Sequence, residues 1–283
     1  MDPHSSVEPV PPRPAWAPEA VPLERPSVAR MYDYHLGGFH NVAIDRQAAQ
    51  AAAAGYPDLP MIMRLNRYFL RRAVRYLVEQ GIEQFLDLGS GIPTAGNVHE
   101  VAQTSQPASR VVYVDNDPVA VALSEAILGN TPNVGVLLGD IRSPEQVLAD
   151  PVVARLLDLN RPLAILLVFV LHFVDDDAMA SRLVQMLRDA MAPGSYLVIS
   201  HGTPDPMASR VVTEQTALSR QASHTLHLRS RQQIASYLDG LTLVEPGVVY
   251  LPLWRPEGPD DPWLDQPERS ASYGGIGRKE ERA

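Results

Sequence analysis

The sequence predicts an α/β chain built on a doubly wound, mostly parallel sheet. Three observations carry that prediction. From Gly81 onward, short apolar runs alternate with amphipathic helical stretches. Glycine turns and carboxylates recur just after the apolar runs, at the strand ends where open α/β sheets bind ligands. Near the C-terminus two further apolar runs are separated only by Glu245-Pro246-Gly247. That is too short for a parallel crossover, which takes about a dozen residues or more, so the runs are expected to form an antiparallel hairpin.

The chain has 283 residues, enough for one large domain or two small ones. Its hydrophobic share of 45% and charged share of 20% suit a protein with a sizeable core and exclude a coiled coil, a collagen-like fibre or a wholly disordered chain. It contains no cysteine, so disulfides, thiolate metal sites and a cysteine nucleophile are excluded. The formal charge of −9 argues against a reader of nucleic-acid backbones, which needs a basic face to replace counterions. The longest apolar run, Leu163 to Leu171, is too short to span a bilayer. The N-terminus lacks a basic region followed by an apolar stretch. A soluble cytoplasmic protein is expected, acting on neither nucleic acid nor membrane.

Residues 1–26 hold eight prolines and read as an extended, disordered leader. Residues 27–80 read as a helical lid. Ser27 caps a short helix to Leu36 that Gly37 and Gly38 end, Val42–Ala54 forms a second helix, and 61–80 a long amphipathic third. Arg64, Arg67, Arg71 and Arg75 on that third helix read as a solvated face.

Residues 81–254 read as the core. Its strands are Gln84–Leu88, Val111–Asp115, Val134–Leu138, Leu163–Phe173, Ser195–Ser200, Leu241–Val244 and Val248–Leu253, seven in all. Its helices are Asn97–Gln106, Pro118–Leu128, Pro144–Leu157 with an interruption at Pro151, Asp176–Met191, Pro206–Leu218 and Arg231–Leu238. Asn97 with Glu100, and Ser230 with Gln233, have the spacing of capping boxes. Residues 255–283, rich in Pro, Gly and charge, read as a tail that folds back.

Three places carry chemistry. Asp87-Leu-Gly-Ser-Gly91 follows the first strand, and Gly89 and Gly91 let backbone approach a ligand closely. Pro93 stands where a dinucleotide fingerprint would have its third glycine, and it removes a donor from any pyrophosphate cradle. The turn read alone is equally an ordinary strand-to-helix connection. Asp115, 24 residues after Gly91, ends the second strand, where a carboxylate can accept both hydroxyls of a ribose. Asp117 is placed to cap the helix that Pro118 opens. Asp140, in Gly139-Asp140-Ile141 after the third strand, can accept from an adenine amino group. His172 and His201 end the fourth and fifth strands, either as bases facing a substrate or as core histidines bonded to backbone. His99, His224 and His227 have no convincing metal spacing, and no metal is expected.

These motifs resemble class I S-adenosylmethionine-dependent methyltransferases. The segments Ser27 to Arg46, Gly89 to Glu100, Val170 to Val174, Ala192 to His201 and Tyr273 to Lys279 are similar to a narrower subfamily called S-adenosyl methyltransferase, formerly a domain of unknown function. There the Gly37-Gly38 pair is more often followed by Lys-Asp-Asn; this chain has Phe39-His40-Asn41. The resemblance implies a Rossmann-like fold and a cofactor, S-adenosylmethionine, that leaves as S-adenosylhomocysteine. It implies that Gly89, Ser90 and Gly91 line the methionine part and that Asp87 helps to hold the ammonium. Asp115, with Asn116 beside it, would bind the ribose, and Asp140 and the Ile141 backbone would flank the adenine. Tyr32, Gly37 and Gly38 would belong to a lid over the pocket mouth.

The expected activity is methyl transfer to a small-molecule acceptor. The missing third glycine agrees, because this cofactor has no phosphate to cradle, while its sulfonium suits carboxylates and aromatic faces. Two alternatives remain at this stage: an NAD(P)-dependent oxidoreductase, and a protein that binds S-adenosylmethionine for regulation without catalysis.

Overall fold

The computed structural model describes residues 13–19, 21–94, 96–205 and 226–281. Three helices precede the sheet: α1 (Val28–His35), α2 (Ala43–Gly55) and α3 (Leu59–Glu79). Strand β1 (Gln84–Leu88) leads to α4 (Val98–Ser105), β2 (Arg110–Asp115), α5 (Pro118–Leu128) and β3 (Val134–Leu138). Then come α6 (Pro144–Leu148) and α7 (Pro151–Leu156), separated at Pro151 as the sequence predicts. Strand β4 (Ala164–Val168), α8 (Asp177–Ala190) and β5 (Tyr196–Gly202) follow. The chain ends with α9 (Arg231–Ser236), β6 (Thr242–Leu243), β7 (Val249–Tyr250) and β8 (Ser272–Arg278). The helix expected over Pro206–Leu218 lies outside the described residues, as does His224.

The strands form one eight-stranded sheet in the order β3-β2-β1-β4-β5-β8-β6, with β7 also on β8. The first five are parallel and β8 is antiparallel to β5. The expected mostly parallel, doubly wound sheet is present, with one correction. The two short strands around Glu245-Pro246-Gly247 do not pair with each other. Both lie antiparallel on the free edge of β8, and the antiparallel strand proper comes from the residues read as a tail. The register runs from Tyr196 opposite Arg278 to Gly202 opposite Ser272.

Glycines make that insertion work. A Cβ on Gly274 would lie 2.8 Å from both Leu251 Cδ2 and Phe69 Cε2, and one on Gly277 would lie 2.8 Å from Leu241 Cβ. The strand is thin enough for α3 and the 248–254 segment to press directly upon it.

Both faces of the sheet are covered, as alternation along each strand requires. Phe85, Val111, Ala164, Val198 and Ile276 pack against α3 through Phe69, Ala73 and Leu77. Their neighbours Leu86, Val112, Ile165 and Leu197 face the other way, toward Leu183, Val184 and Leu187 of α8. Each such side chain contributes roughly 1.5–3 kcal/mol when fully buried.

Two local expectations also change. The strand expected over Leu163–Phe173 stops at Val168, because Phe169 takes φ 54° and turns the chain into a short 3-10 turn at Leu171–Phe173. The latter half of the proline-rich leader is packed against the core. Val21 is fully buried with Ile92, Ala120 and Leu123, and the carbonyls of Pro22 and Arg25 accept from the buried Arg30 guanidinium at 3.2 and 2.7 Å. Arg30 also pairs with buried Asp45 at 2.7 Å, which ties leader, α1 and α2 together. Among the described residues no helix is long and apolar enough to cross a membrane.

Candidate functional site

Strand order reverses at β1, which has β2 on one side and β4 on the other. Open α/β sheets leave a crevice at such a switch point, outside the carboxyl ends of the strands. The turn after β1 sits there and is bonded to the next strand. Gly89 N and Ser90 N both donate to Val114 O, at 2.8 and 3.1 Å. Gly91 N donates to Asp115 Oδ2 at 2.8 Å, and Gly139 N donates to Asp115 O at 2.9 Å. The ends of β1, β2 and β3 are thus laced into one rim.

Gly89 has φ +73°, and a Cβ there would fall 2.1 Å from Val170 Cγ2, so the turn after β4 leans directly on it. Gly91 has φ +63°, and an added Cβ would meet nothing within 4 Å. At Gly91, therefore, no neighbouring atom fills the space a side chain would take.

Asp115 keeps acceptor capacity. Its two oxygens accept from Gly91 N and from Asp117 N, the latter at 2.9 Å. A carboxylate has about four lone-pair sites, so two remain for ribose hydroxyls. Burial holds its carboxyl above the usual range. Asn116 is exposed beside it. Asp117 caps α5 as expected, accepting from Val119 N at 2.8 Å.

Asp87 is buried on β1, and no hydrogen bond or ion pair among the described residues holds its carboxylate. Burial pushes its carboxyl up to about 7; the nearby positive charge of Arg67 works against that, and Asp115 adds to it. Such a group is balanced between neutral acid and carboxylate near neutrality, and a ligand cation beside it would favour the carboxylate.

Asp140 stands apart from this pair. Both its oxygens receive Arg142 Nε at 2.9 Å, and the Arg142 hydrogen bond holds its carboxyl below the usual range. The Ile141 side chain is buried in the core, which leaves its backbone at the rim.

From the lid, Tyr32 reaches the site. Its hydroxyl donates to Met63 O at 3.2 Å and accepts from Asn66 Nδ2 at 3.0 Å. Asn66 Oδ1 accepts from Ser200 Oγ at 2.6 Å, and Ser200 Oγ accepts from Phe169 N at 3.1 Å. A continuous chain of bonds thus runs from α1 through α3 to the ends of β5 and β4. Gly37 and Gly38 shape the lid's own loop instead. A Cβ on Gly38 would lie 2.0 Å from Asp33 Oδ1, and Asp33 accepts from His40 N and Asn41 Nδ2 at 2.9 and 2.7 Å.

The two candidate bases differ. His201 Nδ1 lies 2.6 Å from Gly202 O and its Nε2 lies 3.1 Å from Arg229 Nη1. Both nitrogens are engaged, and burial with the Arg229 charge pushes the imidazole down to about 4. Its position is that of a core histidine. His172 is also buried and held well below the usual range, first by burial. Its Nδ1, however, is a buried polar atom with no partner.

Arg67 is the side chain that sequence reasoning placed on a solvated face and the structure places at the site. It is half-buried on α3, its guanidinium lies 5.7 Å from the Tyr32 ring centre, and Nη1 donates to Asn97 Oδ1 at 3.3 Å. A signal was present, because Arg67 precedes buried Leu70 and Val74 by three and seven residues, along the margin of the apolar stripe.

The comparisons agree with this geometry. The model of the S-adenosyl methyltransferase family matches residues 14–280. A crystal structure of a methyltransferase candidate from Thermobifida fusca YX is 41% identical, covering 94% of this chain and 100% of that one with a TM-score of 0.86. A DUF574 family protein from Streptomyces avermitilis MA-4680 is 38% identical, covering 91% and 98% with a TM-score of 0.83. No curated protein sequence matches the chain. With its matched length, its mostly parallel sheet and its glycine turn at the switch point, the chain belongs to the S-adenosyl methyltransferase family and is an S-adenosylmethionine-dependent methyltransferase.

Proposed function

We propose that the crevice at the ends of β1, β2 and β3 binds S-adenosylmethionine and that the protein methylates a small-molecule acceptor. The observation that carries the reading is Asp115, fixed by Gly91 N and Asp117 N with acceptor capacity to spare, beside open space at Gly91. The fit extends to charge. Asp87, a carboxylate without hydrogen bonds, suits a cationic ligand, and Pro93 in the next turn leaves too few donors for a pyrophosphate.

When bound, this cofactor supplies a methyl group on a sulfonium, open to in-line displacement with a neutral leaving group. The chain's own residues then have a positional task. Asp115 orients the ribose, Gly89 and Gly91 admit the methionine part, and Tyr32 presents an aromatic face from the lid. Positioning and exclusion of water supply much of such an acceleration. Where the acceptor must lose a proton, His172 is the better of the two histidine candidates, because its buried Nδ1 has no partner while both His201 nitrogens are engaged. The acidic charge of −9 favours a small acceptor over nucleic acid.

Isothermal titration with S-adenosylhomocysteine and with NADH tests the reading. The wild type should bind the first and not the second. Asp115→Ala should weaken that binding at least about tenfold, given roughly 1.5–3 kcal/mol for a hydrogen bond to a charged group. Unchanged affinity in a folded Asp115→Ala variant removes Asp115 from the site, and binding of NADH alone would replace the cofactor.

A further inference from the structure

We propose that the methyl acceptor is an aromatic hydroxyl compound, a phenol seated against the Phe169 ring with its oxygen at His172. The inference rests on the cofactor reading above and names the class of compound that the turn beside that crevice takes.

Three independent observations support it. Phe169 has φ 54°, a left-handed conformation that bulky side chains rarely adopt. Its N is bonded to both Ser200 O and Ser200 Oγ at 3.1 Å, so the conformation is enforced. Strain of this kind gathers at sites that clamp a ligand. What it holds in place is an aromatic ring that is only half-buried, 5.4 Å from the His172 ring and inclined to it at 67°. His172 is the second observation. It is 7% exposed, and its side chain makes no hydrogen bond among the described residues: Nδ1 is sealed in without a partner, and none reaches Nε2. The third is position. Val170, which lies between them in the chain, has its Cγ2 2.1 Å from where a Cβ on Gly89 would stand. Ring and imidazole are therefore carried on the turn that abuts the glycine turn.

An aromatic face takes a second ring edge-on or offset and gains from it beyond the area buried. The imidazole narrows the class further. Burial, then the His201 ring and the Arg229 charge, hold it well below the ordinary histidine value. Such a group is uncharged near neutrality but a weak base. It takes a proton from a phenol, with a pKa of about 10, far more readily than from an alkanol. An amine needs no base before transfer. Arg229, the cation packed on this turn, already donates to Leu171 O, Val174 O and Asp177, so it is committed before any acidic acceptor arrives. In the step itself the phenol oxygen bonds to the methyl carbon as the carbon–sulfur bond breaks, and that electron pair stays on sulfur, which leaves as a neutral thioether. The phenolic proton passes to His172 Nε2, and the imidazolium then releases it to water.

Phenol itself is the probe, with cyclohexanol as its saturated counterpart. Ligand-observed NMR on the protein saturated with S-adenosylhomocysteine should show phenol binding at least about fivefold tighter than cyclohexanol. Phe169→Leu, which keeps apolar bulk without the ring, should bring that ratio close to one. Given S-adenosylmethionine labelled in its methyl group, the wild type should convert phenol to anisole and leave cyclohexanol unchanged. His172→Gln should keep the phenol affinity within about threefold and slow anisole formation at least about 100-fold.

A wild type that binds S-adenosylhomocysteine but takes phenol no better than cyclohexanol overturns the assignment, a measurement that needs no variant to fold. So does methylation of aniline in preference to phenol, or no methylation of phenol at all. Anisole formation at the wild-type rate in His172→Gln, or an unchanged binding ratio in Phe169→Leu, overturns it as well. Each of these leaves the cofactor reading standing, whereas a wild type that does not bind S-adenosylhomocysteine overturns both.

Discussion

Replacing Asp87 by Asn should stabilise the ligand-free protein at alkaline pH while impairing cofactor binding. In the fold, burial raises the Asp87 carboxyl from 3.8 to about 7. A group whose folded value is raised stabilises the fold below its unfolded value, and that contribution is lost as pH rises through the folded value. Each pH unit across the interval is worth about 1.36 kcal/mol. Asp87 should therefore cost the wild type about 4 kcal/mol at pH 8 and about 2 kcal/mol at pH 5. Asn has nearly the same shape and never ionises, so it escapes this cost. The assay is urea denaturation of both proteins from pH 5 to pH 8 without ligand. The stability difference in favour of Asp87→Asn should grow by about 2–3 kcal/mol across that range. Asp33, also held above its usual value by burial, is common to both proteins and cancels in the difference. A difference that stays flat with pH would refute the reasoning, because Asp87 would then titrate alike in both states. Binding should run the other way. Wild-type affinity for S-adenosylhomocysteine should rise from pH 6 to pH 8 as Asp87 ionises to meet the ammonium, and the variant should lose that dependence.

Two further substitutions test the rim itself. Gly89→Ala should cost more than about 2 kcal/mol in urea denaturation, since it adds a 2.1 Å clash with Val170 to a positive φ, whereas Gly91→Ala should cost roughly 1–2 kcal/mol for φ alone; the reverse order would contradict the geometry. Arg229→Met should destabilise by about 3 kcal/mol or more in the same assay, because the carbonyls of Leu171 and Val174 lose buried donors 2.9 and 2.8 Å away, and Arg229→Lys should not recover it fully.

What could be read in the sequence follows from what periodicity encodes. Strands β1 to β3 were legible because each is a short apolar run closed by Gly or Asp, and both the turn and the carboxylates fall where strand ends must lie. Asp117 and Pro118 announced α5, and Pro151 announced its break. Strand β8 was not legible as a strand, because Gly274, Gly275 and Gly277 have no side chains to alternate. The side chains that fill those gaps, Phe69, Val248, Leu241 and Leu251, belong to other elements. The end of β4 was hidden for a different reason. Leu163 to Phe173 is nearly all apolar, and nothing in it signals that Phe169 turns at φ 54°. The leader's Val21 was likewise one valine among prolines until its pocket of Ile92, Ala120 and Leu123 appeared. Arg67 shows the limit on charge. One arginine in a row of four is set apart only by the unpaired neighbours it meets in space.

On the proposed reading, the acceptor side of the crevice is held more tightly than the cofactor side. Arg229 is fully buried and donates to Leu171 O and Val174 O, contacts Asp177 at 2.9 Å and meets His201 Nε2 at 3.1 Å. One side chain therefore fixes the turn after β4, the end of β5 and the start of α8. Phe169, between two of these, is kept in a left-handed conformation, which costs of order 1–3 kcal/mol and persists only where surroundings over-determine it. The Ser200 bonds to Asn66 and Phe169 carry the same constraint to α3 and, through Tyr32, to the lid. On the cofactor side, by contrast, Asp87, Arg67 and Thr94 hold polar groups without partners. Rigidity on one side and unmet charge on the other suit a reaction whose demands are unequal. In the proposed reaction the cofactor would bring its own charges to these unpaired groups, whereas an acceptor for an in-line displacement would need a wall already set at the right distance and angle. His172, carried on that wall between Phe169 and Phe173, is held by the same bonds that fix its turn, so the position of its free Nδ1 is as well determined as the backbone beneath it.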